Sequence, residues 1–369
     1  MRIGLNATCF NSRPSGAKQR FLGIYPRLVK KLKFHNFFIF HSKDYNLKKD
    51  FGIFDNVKFV KVNIPSENSI KKNLIYLFYF KKLISNYKLD LIEVFNLPAF
   101  LPANLKYLLT IHDIRNNYFK YSGISKLLAI PILKYFLKNS YKIITVSNTM
   151  KNEINKFYKN SKTLVVHNGI ETKYTKHYLK KTNKKRYLLS VGHFEKRKNF
   201  IKLIQAFSIF NKINDNFKLI IVGNAHSPNE KKYLLKIKSL IKDESLEGSI
   251  KILNNVKQKK LENLYYECSF FITSSFYEGF GITILEAMRS KKIILASNLK
   301  VFREISPKGI IFFDNQNIES IFKSINFTVS RNLKFNKKIA YNTKRIKKFD
   351  FDNVVDQLKN IYIKKLTIF

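Results

Sequence analysis

Glu278 and Glu286 stand eight positions apart in CSFFITSSFYEGFGITILEAM, on either side of a Gly-Phe-Gly turn. Carboxylates at the end of a strand suit sugar hydroxyls, which donate hydrogen bonds to them. The amides of Gly279, Phe280 and Gly281 open a helix, and the positive end of a helix favours phosphate oxygens. One short segment therefore has the donors and acceptors to hold a sugar, a ribose and a phosphate. A structural alternative stays open for each residue: a glutamate early in a helix often serves the helix dipole, and Gly-Phe-Gly can be only a turn.

This chemistry needs elements that bring the two carboxylates to one place. The apolar run Cys268 to Thr273 predicts a buried strand, Ser274 to Gly281 a turn, and Ile282 to about Ser290 a helix. Glu278 then lies at the carboxyl end of a strand, where open α/β sheets bind their ligands, and Glu286 lies just past the first helical turn, facing the same cleft. The rest of the chain repeats the scheme. Strands are expected at Arg2 to Asn6, Phe37 to His41, Val57 to Val62, Asp90 to Phe95, Tyr107 to Ile111, Lys142 to Val146 and Thr163 to His167. A second series runs Tyr187 to Val191, Lys218 to Val222, Ile250 to Leu253, Ser269 to Thr273, Ile293 to Ala296 and Ile310 to Phe313. Short runs rich in Val, Ile and Phe, with helices between them, imply two parallel, doubly wound sheets.

The length of 369 residues also calls for two domains, because single cores stop growing at roughly 250 to 300 residues. The lysine-rich stretch Glu171 to Arg186 reads as the linker. The domains expected are 1–175, 186–348 and a final helical segment, 349–369. Cys9 and Cys268 lie in separate apolar segments without metal-ligand spacing, which suggests reduced thiols and a cytosolic compartment. The start, MRIGLNATCF, reads as a strand rather than a signal peptide, and no apolar run approaches the roughly 18 residues that span a bilayer.

The net charge of +44 raises the question of nucleic acid. Residues 1 to 185 carry 35 Lys+Arg against 9 Asp+Glu, and residues 186 to 369 carry 34 against 16, so both halves are basic. No zinc-finger spacing, helix-turn-helix or RNP-like string accompanies the charge, and no nucleic-acid partner is expected. The chain is rich in Lys, Asn, Ile, Phe and Tyr, a bias of AT-rich coding, so much of the charge reads as background. Residues 69 to 88 and 125 to 142 do interleave lysine with Leu, Ile, Phe and Tyr in the manner of interfacial helices, which makes an anionic membrane surface a possible partner. The alternative is an ordinary helix packed on a sheet with a solvated lysine face.

EGFGITILEAM resembles the EGFGxxxxEAM signature of the retaining glycosyltransferases of family 4, or group 1, which have the GT-B fold. The resemblance implies two Rossmann-like domains facing across a cleft and transfer of a sugar from a nucleotide-sugar with retention at the anomeric carbon. It assigns Glu278 to the donor sugar, Glu286 to the ribose, and Gly279, Phe280 and Gly281 to the donor. SVGHFEKRKNFIKLIQAF resembles the strand, basic loop and helix that grip the diphosphate, with Arg197 and Lys198 as a guanidinium fork and a point charge. His193 departs from the arginine usual there. TIHDIRNN places His112 and Asp113 like the His-Asp pair that faces the donor sugar. NSRPSGAKQRF puts Gly16 in the turn nearest the donor phosphates, with Lys18 and Arg20 as plausible anion contacts. Val256 matches the backbone near the base. TVSNTMKNEI resembles a family segment in which Ser147 looks like a helix N-cap. The family's final helix crosses back onto the first domain.

By resemblance the acceptor is a glycan or lipid-linked molecule in lipopolysaccharide, O-antigen or capsule synthesis, at the inner face of the cell membrane. The scheme requires neither cofactor nor metal, and Asp350 and Asp352 read as capping rather than as a divalent-metal motif. Two alternatives are another GT-B activity, such as a nucleotide-sugar epimerase, and a non-catalytic basic binding protein on the same scaffold.

Overall fold

The computed structural model describes residues 1–66, 75–97, 101–114, 124–159, 162–172, 186–331 and 335–363. Backbone contacts divide the chain into two units, Met1–Gly169 with Asp350–Phe369, and Ile170–Phe349. Of the expected linker, residues 173–185 lie outside the described residues, as do residues 69–74 of the first basic amphipathic segment.

The first unit is built on β1 (Arg2–Asn6), β2 (Asn36–Ser42), β3 (Val57–Val62), β4 (Leu91–Val94), β5 (Tyr107–Ile111), β6 (Lys142–Thr145) and β7 (Thr163–Val165). They form one seven-stranded sheet in the order β3-β2-β1-β4-β5-β6-β7, and every pairing is parallel. β4 and β5 are buried along their whole length, as strands covered by helices on both faces must be. The helices are α1 (Gly16–Lys31), α2 (Leu47–Phe51), α3 (Lys81–Ser85), α4 (Ile124–Asn139) and α5 (Asn148–Phe157). A π-helical turn, Tyr76–Phe80, runs into α3 where an uninterrupted helix was expected. Ser147 caps α5, its hydroxyl accepting from the Met150 amide at 3.0 Å.

The second unit carries β8 (Tyr187–Val191), β9 (Lys218–Val222), β10 (Ile250–Leu253), β11 (Phe270–Thr273), β12 (Ile293–Ser297) and β13 (Ile310–Phe313) in a six-stranded parallel sheet ordered β10-β9-β8-β11-β12-β13. Around it lie α6 (Phe200–Asn211), α7 (Pro228–Asp243), α8 (Gln258–Glu267), α9 (Ile282–Arg289), α10 (Lys300–Ile305), α11 (Ile318–Ser330) and α12 (Asn336–Arg345). Phe194, Phe200, Phe207 and Phe210 are completely or almost completely buried in its core.

The two doubly wound parallel sheets expected from the strand pattern are thus both present. Most strand ends agree within a residue. β7 is the exception, stopping at Val165 rather than His167, whose carbonyl accepts from the Arg20 guanidinium at 2.5 Å. In each sheet the strand order reverses beside the first strand, between β1 and β4 and between β8 and β11. The carboxyl ends of the strands at such a reversal are the usual ligand position in parallel doubly wound sheets.

The final helix, α13 (Phe351–Ile363), belongs to the first unit and packs on α1. Asp350 accepts from the Asp352 amide at 3.0 Å at its start, the capping role expected of this pair. Tyr362 donates from its hydroxyl to the buried Glu93 carboxylate. Both cysteines are free. No helix among the described residues is long and apolar enough to cross a membrane.

Candidate active site

The loop after β8 and the loop after β11 meet at the switch point of the second sheet, and charge is concentrated there. Gly192 and Phe194 donate backbone hydrogen bonds to Val222 and Asn224, which fixes the first loop against the end of β9. A turn of 3-10 helix, Lys196–Lys198, follows, and Asn199 takes a left-handed conformation at φ 55° to enter α6. The Asn199 side chain secures this bend by donating to the Asn315 carbonyl at 2.8 Å. Lys198 then lies across Gly192, where a β-carbon would sit 2.9 Å from the lysine stem. Ser274 ties the second loop to the first, its hydroxyl donating to the carbonyls of Lys198 and Asn199 at 3.0 Å each.

Into this frame the second loop inserts Glu278. Lys198 Nζ donates to Glu278 Oε1 at 2.6 Å, Arg197 Nη1 donates to Oε2 at 2.9 Å, and Ser275 adds a hydroxyl to Oε1 at 2.8 Å. Arg197 also donates to the Tyr277 carbonyl and, through Nε, to Glu195. The three charged side chains are only 9 to 12% exposed. Burial by itself would raise the Glu278 carboxyl, but the charges of Lys198 and Arg197 outweigh it and hold the group down at about 2. Burial lowers the Lys198 ammonium, and Glu278 counters that shift. Glu278 is therefore ionised at every working pH and has no proton to donate near neutrality. Its chemistry is that of an acceptor, between two cations that suit phosphate oxygens.

Gly281 is the N-cap of α9 with φ 118°, a conformation that side chains rarely adopt, and it offers no side chain to the first-turn amides. Gly279 and Phe280 are buried beside it. Glu286, on α9, turns to a different neighbour from Glu278: Tyr265 on α8 donates to its Oε2 at 2.8 Å. Val256 is half-buried after β10, and the preceding Asn255 amide donates to the Asn224 side chain at 2.7 Å. The loops after β8, β9 and β10 are thereby linked in series. His193 lies beside His226, with ring centroids 5.8 Å apart.

His112 and Gly16 belong to the first unit. His112 follows β5, and both its ring nitrogens are shielded from solvent without a hydrogen-bond partner. Burial, and then the charge of Arg20, lowers its pKa to about 3, so the imidazole is neutral. Gly16 begins α1 and is exposed. Lys18 donates to the Asn11 carbonyl at 2.8 Å, and Arg20 is buried against His167 and Asn168. Arg197, Lys198 and Glu278 are the members of the expected set that touch one another.

Three residues with a part in these contacts were not anticipated. Ser275 and Glu195 are adjacent in sequence to the charged motifs, and their hydroxyl and carboxylate were the available signals. Tyr265 gave a weaker one, a tyrosine within an amphipathic helix. Among the described residues no cluster of three or more His, Cys, Asp or Glu side chains is arranged to hold a metal ion.

Two parallel doubly wound units, with a cation-carboxylate cluster at the switch point of the second, are the architecture of a GT-B glycosyltransferase. The chain belongs to the group 1, or family 4, glycosyltransferases: the family model for glycosyl transferases group 1 matches residues 173–346 and that for glycosyltransferase family 4 matches residues 33–174. It is 28% identical over 257 residues to the O-antigen chain mannosyltransferase RfbU of Salmonella typhimurium, covering 68% of each chain. It is 26% identical to the capsular polysaccharide biosynthesis glycosyltransferase CapH of Staphylococcus aureus, over 80% of this chain and 82% of the relative. The crystal structure of Anabaena Alr3699/HepE in complex with UDP and glucose superposes with a TM-score of 0.76 at 17% identity, covering 99% of this chain and 100% of the other.

Proposed function

We propose that this glycosyltransferase moves a hexose from a nucleotide-sugar to a glycan or lipid-linked acceptor in surface polysaccharide synthesis, with retention and without a metal or other cofactor. The contact of Arg197 and Lys198 with Glu278 at the switch point carries the reading. Departure of the nucleotide diphosphate builds negative charge, and Arg197, Lys198 and the α9 N-terminus are the groups to stabilise it. Glu278, fixed as an anion, accepts from donor-sugar hydroxyls, Glu286 accepts from the ribose, and neutral His112 contacts the sugar. The names of RfbU and CapH support an acceptor in O-antigen or capsule synthesis and make a mannosyl group the first donor sugar to try.

Incubating the purified protein with UDP- and GDP-sugars, and scoring hydrolysis and transfer, tests the activity. The anomeric configuration of the product, read by proton NMR, tests retention, and turnover in the presence of a chelator tests metal independence. Absence of both turnover and nucleotide binding with every donor would remove the proposal.

Action at the inner face of the cell membrane is supported by one surface of the first unit. Phe78 is 71% exposed and Tyr135 62%, with Tyr79 and Ile132 also exposed. Lys81, Lys82, Lys134 and Lys138 accompany them on the same elements. Right-handed crossovers place the π-helical turn with α3, and α4, on one face of the sheet. Cosedimentation with phosphatidylglycerol vesicles, compared with phosphatidylcholine vesicles, tests this attachment.

A further inference from the structure

α8 and α9 are joined by two polar contacts at matching spacing. Tyr265 on α8 donates to Glu286 on α9 at 2.8 Å, and Arg289 on α9 donates to Glu262 on α8 at 3.3 Å. Residues 262 and 265 share one face of α8, as 286 and 289 share one face of α9, because residues three apart are neighbours on a helix. Each helix returns from the carboxyl end of one parallel strand to the amino end of the next, so α8 and α9 run in the same direction and the two contacts are crossed rungs between them. The inner rung is shielded, with Tyr265 1% and Glu286 6% exposed. The outer rung is more open, at 16% for Arg289 and 22% for Glu262.

We propose that Tyr265 is a positioning residue: its hydroxyl aims the Glu286 carboxylate at the ribose of the donor nucleotide. The inference rests on the reading of Glu286 as the ribose acceptor and adds the group that orients it. A glutamate side chain has three rotatable bonds, and a buried anion without a donor carries a large desolvation penalty. Tyr265 answers both by fixing Oε2. The tyrosine is itself immobilised: its ring packs on Phe271 of β11 with centroids 5.4 Å apart, and the Cys268 thiol donates to its carbonyl at 3.2 Å. Burial, reinforced by the Glu286 charge, raises its pKa well above the ordinary value, so the hydroxyl keeps its proton and remains a donor. α8 starts at Gln258, two residues after Val256, so the same helix that orients the ribose acceptor begins at the expected base loop.

A tyrosine that serves only packing makes a different forecast, and the ligand can be altered as well as the protein. Calorimetric titration compares wild type, Tyr265→Phe and Glu286→Gln against GDP or UDP, whichever the wild type binds, and against the 2′,3′-dideoxy form of that nucleotide. Tyr265→Phe keeps the ring and is expected to weaken the ribonucleotide about tenfold while leaving the dideoxy form unchanged, the size of a lost hydrogen bond to a buried charge. In transfer assays the donor KM rises and kcat stays nearly constant. Glu286→Gln is expected to show the same selectivity with a larger loss.

If Glu286→Gln discriminates between the two nucleotides and Tyr265→Phe does not, the positioning role is wrong and the ribose reading stands. If Glu286→Gln weakens both nucleotides equally, the ribose reading fails and takes the inference with it. Should Tyr265→Phe not fold, Glu262→Gln breaks the outer rung on a more open surface. Its expected result is a ribonucleotide-selective loss of about twofold, as suits a partly exposed ion pair, and no change in either nucleotide overturns the ladder.

Discussion

Glu93 and Glu278 are both buried carboxylates beside the switch point of their own sheet, and their surroundings push them in opposite directions. Glu93 is part of β4 and fully buried, with Tyr25 and Thr110 donating to Oε1 at 2.5 Å each and Tyr362 donating to Oε2. Burial raises its pKa, and three hydroxyls and the charge of Arg20 reduce that shift without cancelling it. Glu278 is in a loop, and two cations bring it down to about 2. Hydroxyls from α1, β5 and α13 make the first glutamate a fastening for the final helix. Cations from a neighbouring loop make the second a permanent anion in a place suited to a ligand. Position at a switch point therefore does not by itself decide the charge state of a carboxylate; its partners do.

The strongest way to break this contrast is at the cations. Lys198→Ala is expected to reduce donor turnover by about a hundred- to a thousandfold, the range for one lost group that stabilises developing charge. Rates with a saturating nucleotide-sugar check it, and a change of less than tenfold would place the leaving-group charge elsewhere. Glu278→Gln leaves the buried Lys198 without its anion and Arg197 with Glu195 alone, and is expected to lower stability by about 3 kcal/mol. Its folded pKa lies below its ordinary 4.5, so the stabilisation is complete above that value and is lost as pH falls toward 2. Urea midpoints across that window should slope with pH in wild type and lose this contribution in the variant.

Tyr362→Phe probes the other carboxylate and should cost about 1 to 3 kcal/mol, the penalty of one missing donor to a buried group. Nucleotide affinity should not move, whereas proteolysis of α13 should accelerate. Equal losses of stability and nucleotide affinity would dissolve the distinction between the two glutamates. A smaller effect belongs to His112. Its folded pKa of about 3 lies below the ordinary 6.5, so the unfolded chain binds the extra proton between those values and stability rises with pH across them. His112→Asn should flatten that rise and leave stability above pH 6.5 nearly unchanged, as urea titration at a series of pH values would show.

The parts legible in the sequence were those carried by local patterns. Apolar runs such as Tyr187 to Val191 and Lys218 to Val222 appear as strands at those bounds, since a strand buried on both faces declares itself residue by residue. The Gly-Phe-Gly turn and the basic loop were legible for the same reason. Partners distant in sequence were not. Glu93 reads as an interruption in an apolar strand, and nothing local announces that Tyr362, 269 positions away, will bond to it. Glu278 and Glu286 look alike in sequence, yet one meets cations 80 and 81 positions earlier and the other a tyrosine 21 positions earlier. The bond of the Arg20 guanidinium to the His167 carbonyl likewise spans 147 positions.

The helices at the two switch points sharpen the comparison with the smallest expected effect. α1 follows β1 and is capped by Ser15, whose hydroxyl accepts from the Lys18 amide at 3.2 Å. α9 follows β11 and has Gly281 in the same position, with no side chain to offer. A cap satisfies amides that a ligand would otherwise meet, so α1 has spent at its own serine what the proposed function gives to phosphate oxygens at α9. Ser15→Ala should therefore cost about 1 kcal/mol of stability, as lost caps do, and leave donor turnover unchanged. Urea unfolding and the transfer assay, run on the same preparation, separate the two. A fall in turnover without a fall in stability would mean that Ser15 touches a substrate, and the first unit's switch point would then share in the chemistry assigned to the second.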